Sequence, residues 1–169
     1  MRALLLNGTV GAGKTTAMDA LGDALRRRGV PHTLVDVDAL RQTWPAPPGD
    51  PFHLELTLRN LTAVAENAAA AGTDRLVLAG VLESVAERAR YADAVGGDLT
   101  VVRIAVPVDT VLGRLERRHA DDPDALAWHL RRAPELAAVL DAAGADDHVI
   151  EAAHLSPGAL AEHILDLWE

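Results

Sequence analysis

The chain has 169 residues, of which 49% are hydrophobic and 3% aromatic, with no cysteine and a formal net charge of −9. This length predicts a single domain over residues 1–169, the negative charge argues against a nucleic-acid partner, and the lack of cysteine excludes disulfides and thiolate nucleophiles. The sequence shows neither a membrane-spanning run nor a signal-peptide pattern. We therefore expect a soluble cytoplasmic protein with no membrane partner, as a monomer or homodimer.

The first two predicted elements flank a glycine-rich loop. Residues 3–7 form an apolar run typical of a buried strand, and residues 14–28 have helical spacing of apolar side chains and stop at Gly29. Between them, residues 8–15 match the phosphate-binding pattern G-x-x-x-x-G-K-[ST] at every defined position. Lys14 is the only lysine beside fifteen arginines, and a compact ammonium suits such a loop better than a guanidinium fork. The loop predicts binding of a nucleoside triphosphate.

Position within the loop assigns the expected roles. Backbone N–H groups and the helix N-terminus are expected to cradle phosphates. Lys14 is the expected catalytic cation on the β- and γ-phosphate oxygens, and the Thr15 hydroxyl is an expected Mg²⁺ ligand. The expected cofactors are ATP and Mg²⁺. The residues expected to bind the nucleotide are Gly8, Thr9, Val10, Gly11, Ala12, Gly13, Lys14, Thr15 and Thr16.

Two aspartates follow the second predicted strand, residues 33–36. In open α/β sheets, ligands bind at the carboxyl ends of the strands. If the chain stays extended, Asp36 and Asp38 project to one side and place two carboxylates near the γ-phosphate. One could support the metal and the other could accept a proton from a hydroxyl. Alternatively, one of them caps a helix that begins near Ala39.

The middle of the chain contributes two further candidates. A proline-rich irregular stretch, residues 44–51, precedes a predicted helix over 52–71 that carries Arg59. Arg59 either is solvated or contacts the substrate. The third predicted strand, residues 76–79, ends at Gly80 without the acidic residue usual at that position. Glu83 could face the cleft, or it could be a first-turn glutamate favoured by the helix dipole.

Strands and helices continue to alternate to the end of the chain. Strands are predicted over residues 100–106 and 148–150, and helices over 83–95, 108–119, 123–140 and 157–167. This alternation predicts a three-layer α/β domain. Five arginines flank one predicted turn, and they form either an arginine-bearing lid over roughly residues 114–132 or a solvated helix pair. These arginines are Arg114, Arg117, Arg118, Arg131 and Arg132.

Taken together, these motifs resemble the small P-loop kinases of the shikimate, gluconate, adenylylsulfate and chloramphenicol phosphotransferase group, including bacterial proteins labelled as AAA-type ATPases. The resemblance covers nearly the whole chain and implies a parallel sheet of order 2-3-1-4-5. It implies that Asp38 meets the substrate hydroxyl, that Asp36 lies on the metal side, and that Arg59 anchors the substrate. It also implies that the lid arginines lie in the 114–118 stretch, with Arg114 on the nucleotide.

The resulting functional hypothesis is ATP-dependent phosphoryl transfer to a hydroxyl of a small molecule, either a metabolite or an antibiotic. The expected catalytic residues are Lys14, Asp38, Arg117 and Arg118, and the expected substrate contacts are Asp38, Arg59 and Glu83. The alternatives are a nucleoside or nucleotide kinase and a regulatory ATP-hydrolysing switch. A guanine-binding N-K-x-D box cannot occur, because the only lysine lies in the phosphate loop.

Overall fold

The computed structural model describes residues 1–50 and 52–168 and contains a five-stranded sheet in which all neighbouring strands are parallel. Pro51, the last residue of the predicted irregular stretch, lies outside the described residues. The strands are β1 (Arg2–Asn7), β2 (His32–Asp36), β3 (Arg75–Ala79), β4 (Leu99–Ala105) and β5 (His148–Glu151). Their order is β2-β3-β1-β4-β5, which confirms the sheet that the resemblance implied.

The described residues also form six α-helices and one 3-10 helix around this sheet. The α-helices are α1 (Lys14–Arg27), α2 (Leu54–Ala70), α3 (Val85–Val95), α4 (Val108–Arg118), α5 (Pro123–Ala143) and α6 (Pro157–Trp168). The 3-10 helix, Val37–Arg41, follows β2 directly. None of the helices described here combines the length and apolar character needed to cross a membrane.

Three helix boundaries differ from the predictions by two residues or more, and a local cause is visible for two of them. Helix α2 begins two residues late because its N-cap, His53, has a left-handed φ of 57°. Helix α3 begins at Val85 because the Ser84 side chain accepts a hydrogen bond from the backbone N–H of Glu87. Glu83 is therefore outside that helix, and its interpretation as a first-turn glutamate is wrong. Helix α5 continues through Pro134 and ends at Ala143, three residues beyond its predicted end.

Alternate side chains of each central strand enter two separate cores. Leu4 and Leu6 of β1 pack on one face with the apolar side chains of α1 and α6. Leu5 points to the other face and packs with Leu61 of α2 and Tyr91 of α3. The strands lack polar alternation because helices cover both faces of the sheet, as is usual for parallel sheets.

The end of α6 closes the core at the edge of the sheet where β1 and β3 begin. Trp168 is 1% exposed and belongs to the core shared by α1 and α6. The guanidinium carbons of Arg2 and Arg75 lie 5.9 and 5.5 Å from its ring centroid. Trp168 therefore combines a large buried apolar area with two cation–π contacts.

We predict that Trp168→Ala lowers the free energy of unfolding by roughly 3–5 kcal/mol, the usual cost of truncating a buried tryptophan. Trp44→Ala is the matched control, because Trp44 is 93% exposed and its removal should change stability by no more than about 0.5 kcal/mol. Urea unfolding followed by circular dichroism measures both. Equal destabilisation by the two substitutions would contradict this account of the core.

Candidate active site

The glycine-rich loop, residues 8–15, joins the end of β1 to the start of α1. Its three glycines have φ values of 147° at Gly8, 79° at Gly11 and 99° at Gly13, which disfavour any residue with a side chain. A Cβ atom at Gly8 would lie 2.8 Å from the carbonyl oxygen of Ile104. Gly13 is the N-cap of α1, no side chain caps this helix, and its first turn carries no acidic residue. The helix N-terminus thus presents N–H groups suited to an anion.

The Lys14 ammonium lies across this loop. Its Nζ atom donates hydrogen bonds of 2.9 Å to the carbonyl oxygens of both Gly8 and Thr9. Burial lowers the pKa of Lys14 from 10.5 to about 8, Asp38 and Asp36 act in the opposite direction, and Arg118 lowers it further. Bringing an anion to the loop would favour the charged form of Lys14.

Asn7, which sequence reasoning missed, fixes the start of the loop. It is 1% exposed, and its Oδ1 accepts from the backbone N–H groups of Gly8 and Leu82 at 2.9 and 3.1 Å. Its Nδ2 donates to the Leu82 carbonyl at 3.1 Å and to Asp146 Oδ1 at 3.0 Å. The other oxygen of Asp146 forms an ion pair with Arg103. A polar residue at the end of an otherwise apolar strand was the only sequence signal for this role.

Asp36 contacts Thr15 and also caps a helix. Its Oδ2 accepts a hydrogen bond of 3.2 Å from the Thr15 hydroxyl, and its Oδ1 accepts one of 3.0 Å from the backbone N–H of Asp38. The second bond caps the 3-10 helix, which begins at Val37 rather than near Ala39. The expectation of an extended chain through Asp38 is therefore wrong, although Thr15 and Asp36 do come together.

Asp38 nevertheless faces the same cleft from the 3-10 helix. Its side chain is 69% exposed, and Oδ1 lies 2.8 Å from Nη2 of Arg41. The two residues are three positions apart, one turn of the 3-10 helix. Sequence reasoning did not single out Arg41, because a helix was only one of two alternatives for this segment and was expected to begin near Ala39.

These groups line a cleft of about 710 Å³, which is within the size range of small-molecule sites. The loop lies at its centre, and Asp36, Asp38 and Gln42 line it on the β2 side. The wall on the β5 side is mainly apolar and was not predicted from sequence. It consists of Ala152, Leu155, Pro157 and Leu160.

The arginines of α4 differ in their relation to the cleft. Arg114 Nη1 donates to the carbonyl oxygens of Gly11 and Ala12 at 3.1 and 3.2 Å, so α4 is attached to the loop. Arg118 lines the cleft. Arg117 is exposed and lies outside the cleft lining, and its side chain runs back along α4 towards Gly113. The structure thus separates the two arginines that the sequence left equivalent.

Two expected substrate residues lie away from the cleft lining. The Glu83 carboxylate is paired with Arg132 of α5 at 2.5 Å. Arg59 is exposed and lines a second depression of about 300 Å³ between α2 and α3, which shares no lining residue with the cleft. The structure therefore brings neither Arg59 nor Glu83 together with the glycine-rich loop.

No family model matches this sequence, and no curated protein sequence matches it. Several solved structures match over almost their whole length. An unliganded sugar kinase from Janibacter sp. HTCC2649 is 18% identical with a TM-score of 0.69, with 98% of this chain and 93% of that chain covered. The tunicamycin resistance protein of Deinococcus radiodurans is 20% identical with a TM-score of 0.68, covering 99% and 95%. This chain has the fold of the small P-loop kinases.

A third similar structure within this fold contains a nucleotide. It is the APS kinase of Mycobacterium tuberculosis in complex with AMPPNP and APS, 20% identical with a TM-score of 0.62, covering 99% of this chain and 96% of that chain. Identities at this level establish a shared fold, and they confirm the resemblance in architecture. The activity of this chain depends on the side chains that it places around the cleft.

The residues around the loop suit a Mg²⁺–nucleotide complex. Thr15 and Asp36 provide two oxygen-bearing side chains 3.2 Å apart, and oxygen atoms are the ligands that Mg²⁺ prefers. Across residues 1–50 and 52–168, no group of three or more His, Asp or Glu side chains forms a metal site of its own. Mg²⁺ bound jointly with phosphates needs only one or two protein side chains, so this pair is sufficient.

We predict that nucleotide binding takes up a proton when the pH is above about 8, the pKa of Lys14 in the free protein. Phosphates raise that pKa, so affinity should be constant well below pH 8 and should fall by up to about tenfold per pH unit above it. Calorimetry with AMPPNP and Mg²⁺ at pH 8.5, in buffers of different ionisation enthalpy, measures the uptake.

Lys14→Arg is the control for this measurement, because a guanidinium stays protonated at every accessible pH. Its proton uptake should vanish whatever its affinity. If the variant takes up the same number of protons as the wild type, the titrating group is not Lys14.

Proposed function

We propose that this protein is an ATP-dependent kinase that transfers the γ-phosphoryl group to a hydroxyl of a small molecule. The observation that carries the proposal is the shared cleft: Asp38, Lys14 and Arg118 all line one cavity, from three different elements. A carboxylate, an ammonium and a guanidinium around one space are the groups that phosphoryl transfer to a hydroxyl requires.

Sheet order supports an orientation for the nucleotide. β2 and β5 lie at opposite edges, each two strands from β1, which is roughly 10 Å on either side of the loop. The apolar wall at the β5 side, which includes Leu155 and Pro157, suits the flat face of a base. Arg114 lines the same cleft and could contact the nucleotide. With phosphates at Lys14, the acceptor would enter from the β2 side, where Asp38 lies.

In the proposed reaction, the Asp38 carboxylate orients the acceptor hydroxyl and accepts its proton. A bond forms between the acceptor oxygen and the γ-phosphorus while the bond from that phosphorus to the bridging oxygen breaks, and ADP leaves. Lys14 and Arg118 stabilise the charge on the phosphoryl oxygens. Mg²⁺, held by Thr15 with support from Asp36, would neutralise further phosphate charge. Arg41 is a positioning residue, because its contact with Asp38 fixes the direction of that carboxylate.

A panel of neutral and anionic hydroxyl compounds, including sugars, hydroxy acids and nucleosides, tests the proposal. Each is incubated with ATP and Mg²⁺ and scored by mass spectrometry for the gain of one phosphate, with Lys14→Ala as the inactive control. Release of ADP and inorganic phosphate without any phosphorylated product would favour an ATP-hydrolysing switch instead. Products confined to nucleosides would make the protein a nucleoside kinase.

We predict that Asp38→Asn preserves nucleotide affinity but lowers phosphoryl transfer by roughly 10²-fold or more, because the amide cannot accept the hydroxyl proton. Asp36→Asn, two residues away at the end of β2, is the matched variant. It should raise the Mg²⁺ concentration needed for half-maximal activity. Independent titrations of metal and nucleotide separate the two effects, and a wild-type transfer rate in Asp38→Asn would exclude the proposed role of Asp38.

We also predict that Arg118→Ala lowers the transfer rate by roughly 10²-fold, the usual loss when one charge-stabilising donor is removed. Arg117→Ala is the control one residue away, on the same exposed end of α4, and should retain most activity. Both variants should unfold at the wild-type temperature, since both side chains are exposed. Equal losses of activity would contradict the assignment of Arg118 alone.

A further inference from the structure

Given the proposed kinase function, we infer that the acceptor is a neutral hydroxyl compound with an aromatic or other flat apolar part. The apolar part would contact a loop that carries Trp44 and Phe52, residues 42–50 and 52, here called the aromatic loop. Three observations carry this inference: the exposure of the two aromatic side chains, the anchoring of the loop beside Asp38, and the distribution of charge in the cleft.

The aromatic loop holds two of the five aromatic residues of the chain, which has three Trp, one Tyr and one Phe. Tyr91 and Trp168 are buried in the cores, whereas Trp44 is 93% exposed and Phe52 is 81% exposed. Aromatic side chains usually contribute to a protein by burying their rings. Two almost fully exposed rings on one short loop provide apolar surface that is available for contact with a ligand.

Hydrogen bonds anchor the aromatic loop at its base, so the two rings extend from a backbone that is held in place. The Arg41 carbonyl accepts a hydrogen bond of 2.7 Å from Nδ1 of His53, which joins the two ends of the loop. The Asp50 carboxylate is 8% exposed and accepts from the backbone N–H of Leu56 at 3.2 Å, which ties the loop to α2. Prolines at 45, 47 and 48 restrict the backbone further.

The base of the loop is also the acceptor end of the cleft. Arg41, which accepts the hydrogen bond from His53, is the residue paired with Asp38. Gln42, the first residue of the loop, lines the cleft beside Asp38. A molecule whose hydroxyl reaches Asp38 therefore lies next to the aromatic loop.

The charges that line the cleft disfavour an anionic acceptor. The cations among its described lining residues are Lys14, which belongs to the glycine-rich loop, and Arg114 and Arg118, which belong to α4. The β2 side contributes the carboxylates of Asp36 and Asp38 but no cation to that lining. Arg41 beside them is paired with Asp38. A carboxylate on the acceptor would thus meet like charges at close range.

Four probes in a two-by-two design test the inference by saturation-transfer NMR, each added to the protein with AMPPNP and Mg²⁺. They are 1-phenyl-1,2-ethanediol (aromatic, neutral), 3-phenyllactate (aromatic, anionic), glycerol (polar, neutral) and glycerate (polar, anionic). We expect the strongest transfer to the phenyl protons of the diol. Trp44→Ala and Phe52→Ala should each weaken its binding by roughly 3- to 10-fold, the size of one lost aromatic contact. Trp128→Ala, which removes a half-exposed ring on α5, is the control and should leave binding unchanged.

The inference is overturned if the diol shows no saturation transfer, if either anion binds as tightly as the diol, or if both loop variants bind the diol normally. It is also overturned if sedimentation shows a wild-type homodimer that Trp44→Ala converts to a monomer, because the rings would then form a subunit contact. Failure of the kinase proposal is distinguishable. A lack of AMPPNP binding, measured in the same samples, would count against the kinase proposal, whereas transfer from ATP to an anionic acceptor would leave that proposal standing and overturn this inference.

Discussion

The buried side chain of Asn7 is the constraint on which the site depends. Both hydrogens of its amide and its oxygen are engaged with Gly8, Leu82 and Asp146, so three segments that are distant in sequence meet at one point. A buried amide with all its partners in place is specific, because any displacement leaves polar groups unsatisfied. The glycine-rich loop therefore starts from a fixed position relative to the β3–α3 and α5–β5 connections, and the direction of Lys14 follows from it.

Positively and negatively charged side chains lie on different sides of the cleft. Lys14, Arg114 and Arg118 lie at the loop and α4, while Asp36 and Asp38 lie on the β2 side. Burial depresses the pKa of Lys14, and the two aspartates oppose that effect. The carboxylates thus help to keep the ammonium charged at neutral pH, and in the proposed function they would also repel anions from the β2 side of the cleft. In the proposed function, one pair of residues would therefore support phosphate binding and limit the chemistry of the acceptor.

Sequence predicted what is local and missed what depends on distant partners. Strand positions followed from short apolar runs, and the glycine-rich loop from eight consecutive residues, because both signals lie within one segment. The sheet order came from the family resemblance. Helix boundaries failed where one residue decided them: the Ser84 side chain caps α3, and the backbone of His53 is left-handed at the start of α2. The Asn7 network, whose partners lie 75 and 139 residues away, and the apolar β5 wall could not be deduced, because neither has a local pattern.

The relation between the loop and α4 shows how a local motif and a distant helix constrain one another. Gly11 occupies a position that the motif leaves free, yet its φ of 79° and its surroundings both favour glycine. A Cβ atom there would lie 3.3 Å from Val111 and 3.4 Å from Leu115, both buried in α4. Because α4 packs this closely on the loop, and Arg114 binds two loop carbonyls, Arg118 already lines the cleft in this structure. The absence of a side chain at Gly11 thus allows the close approach of α4, the helix that carries Arg118.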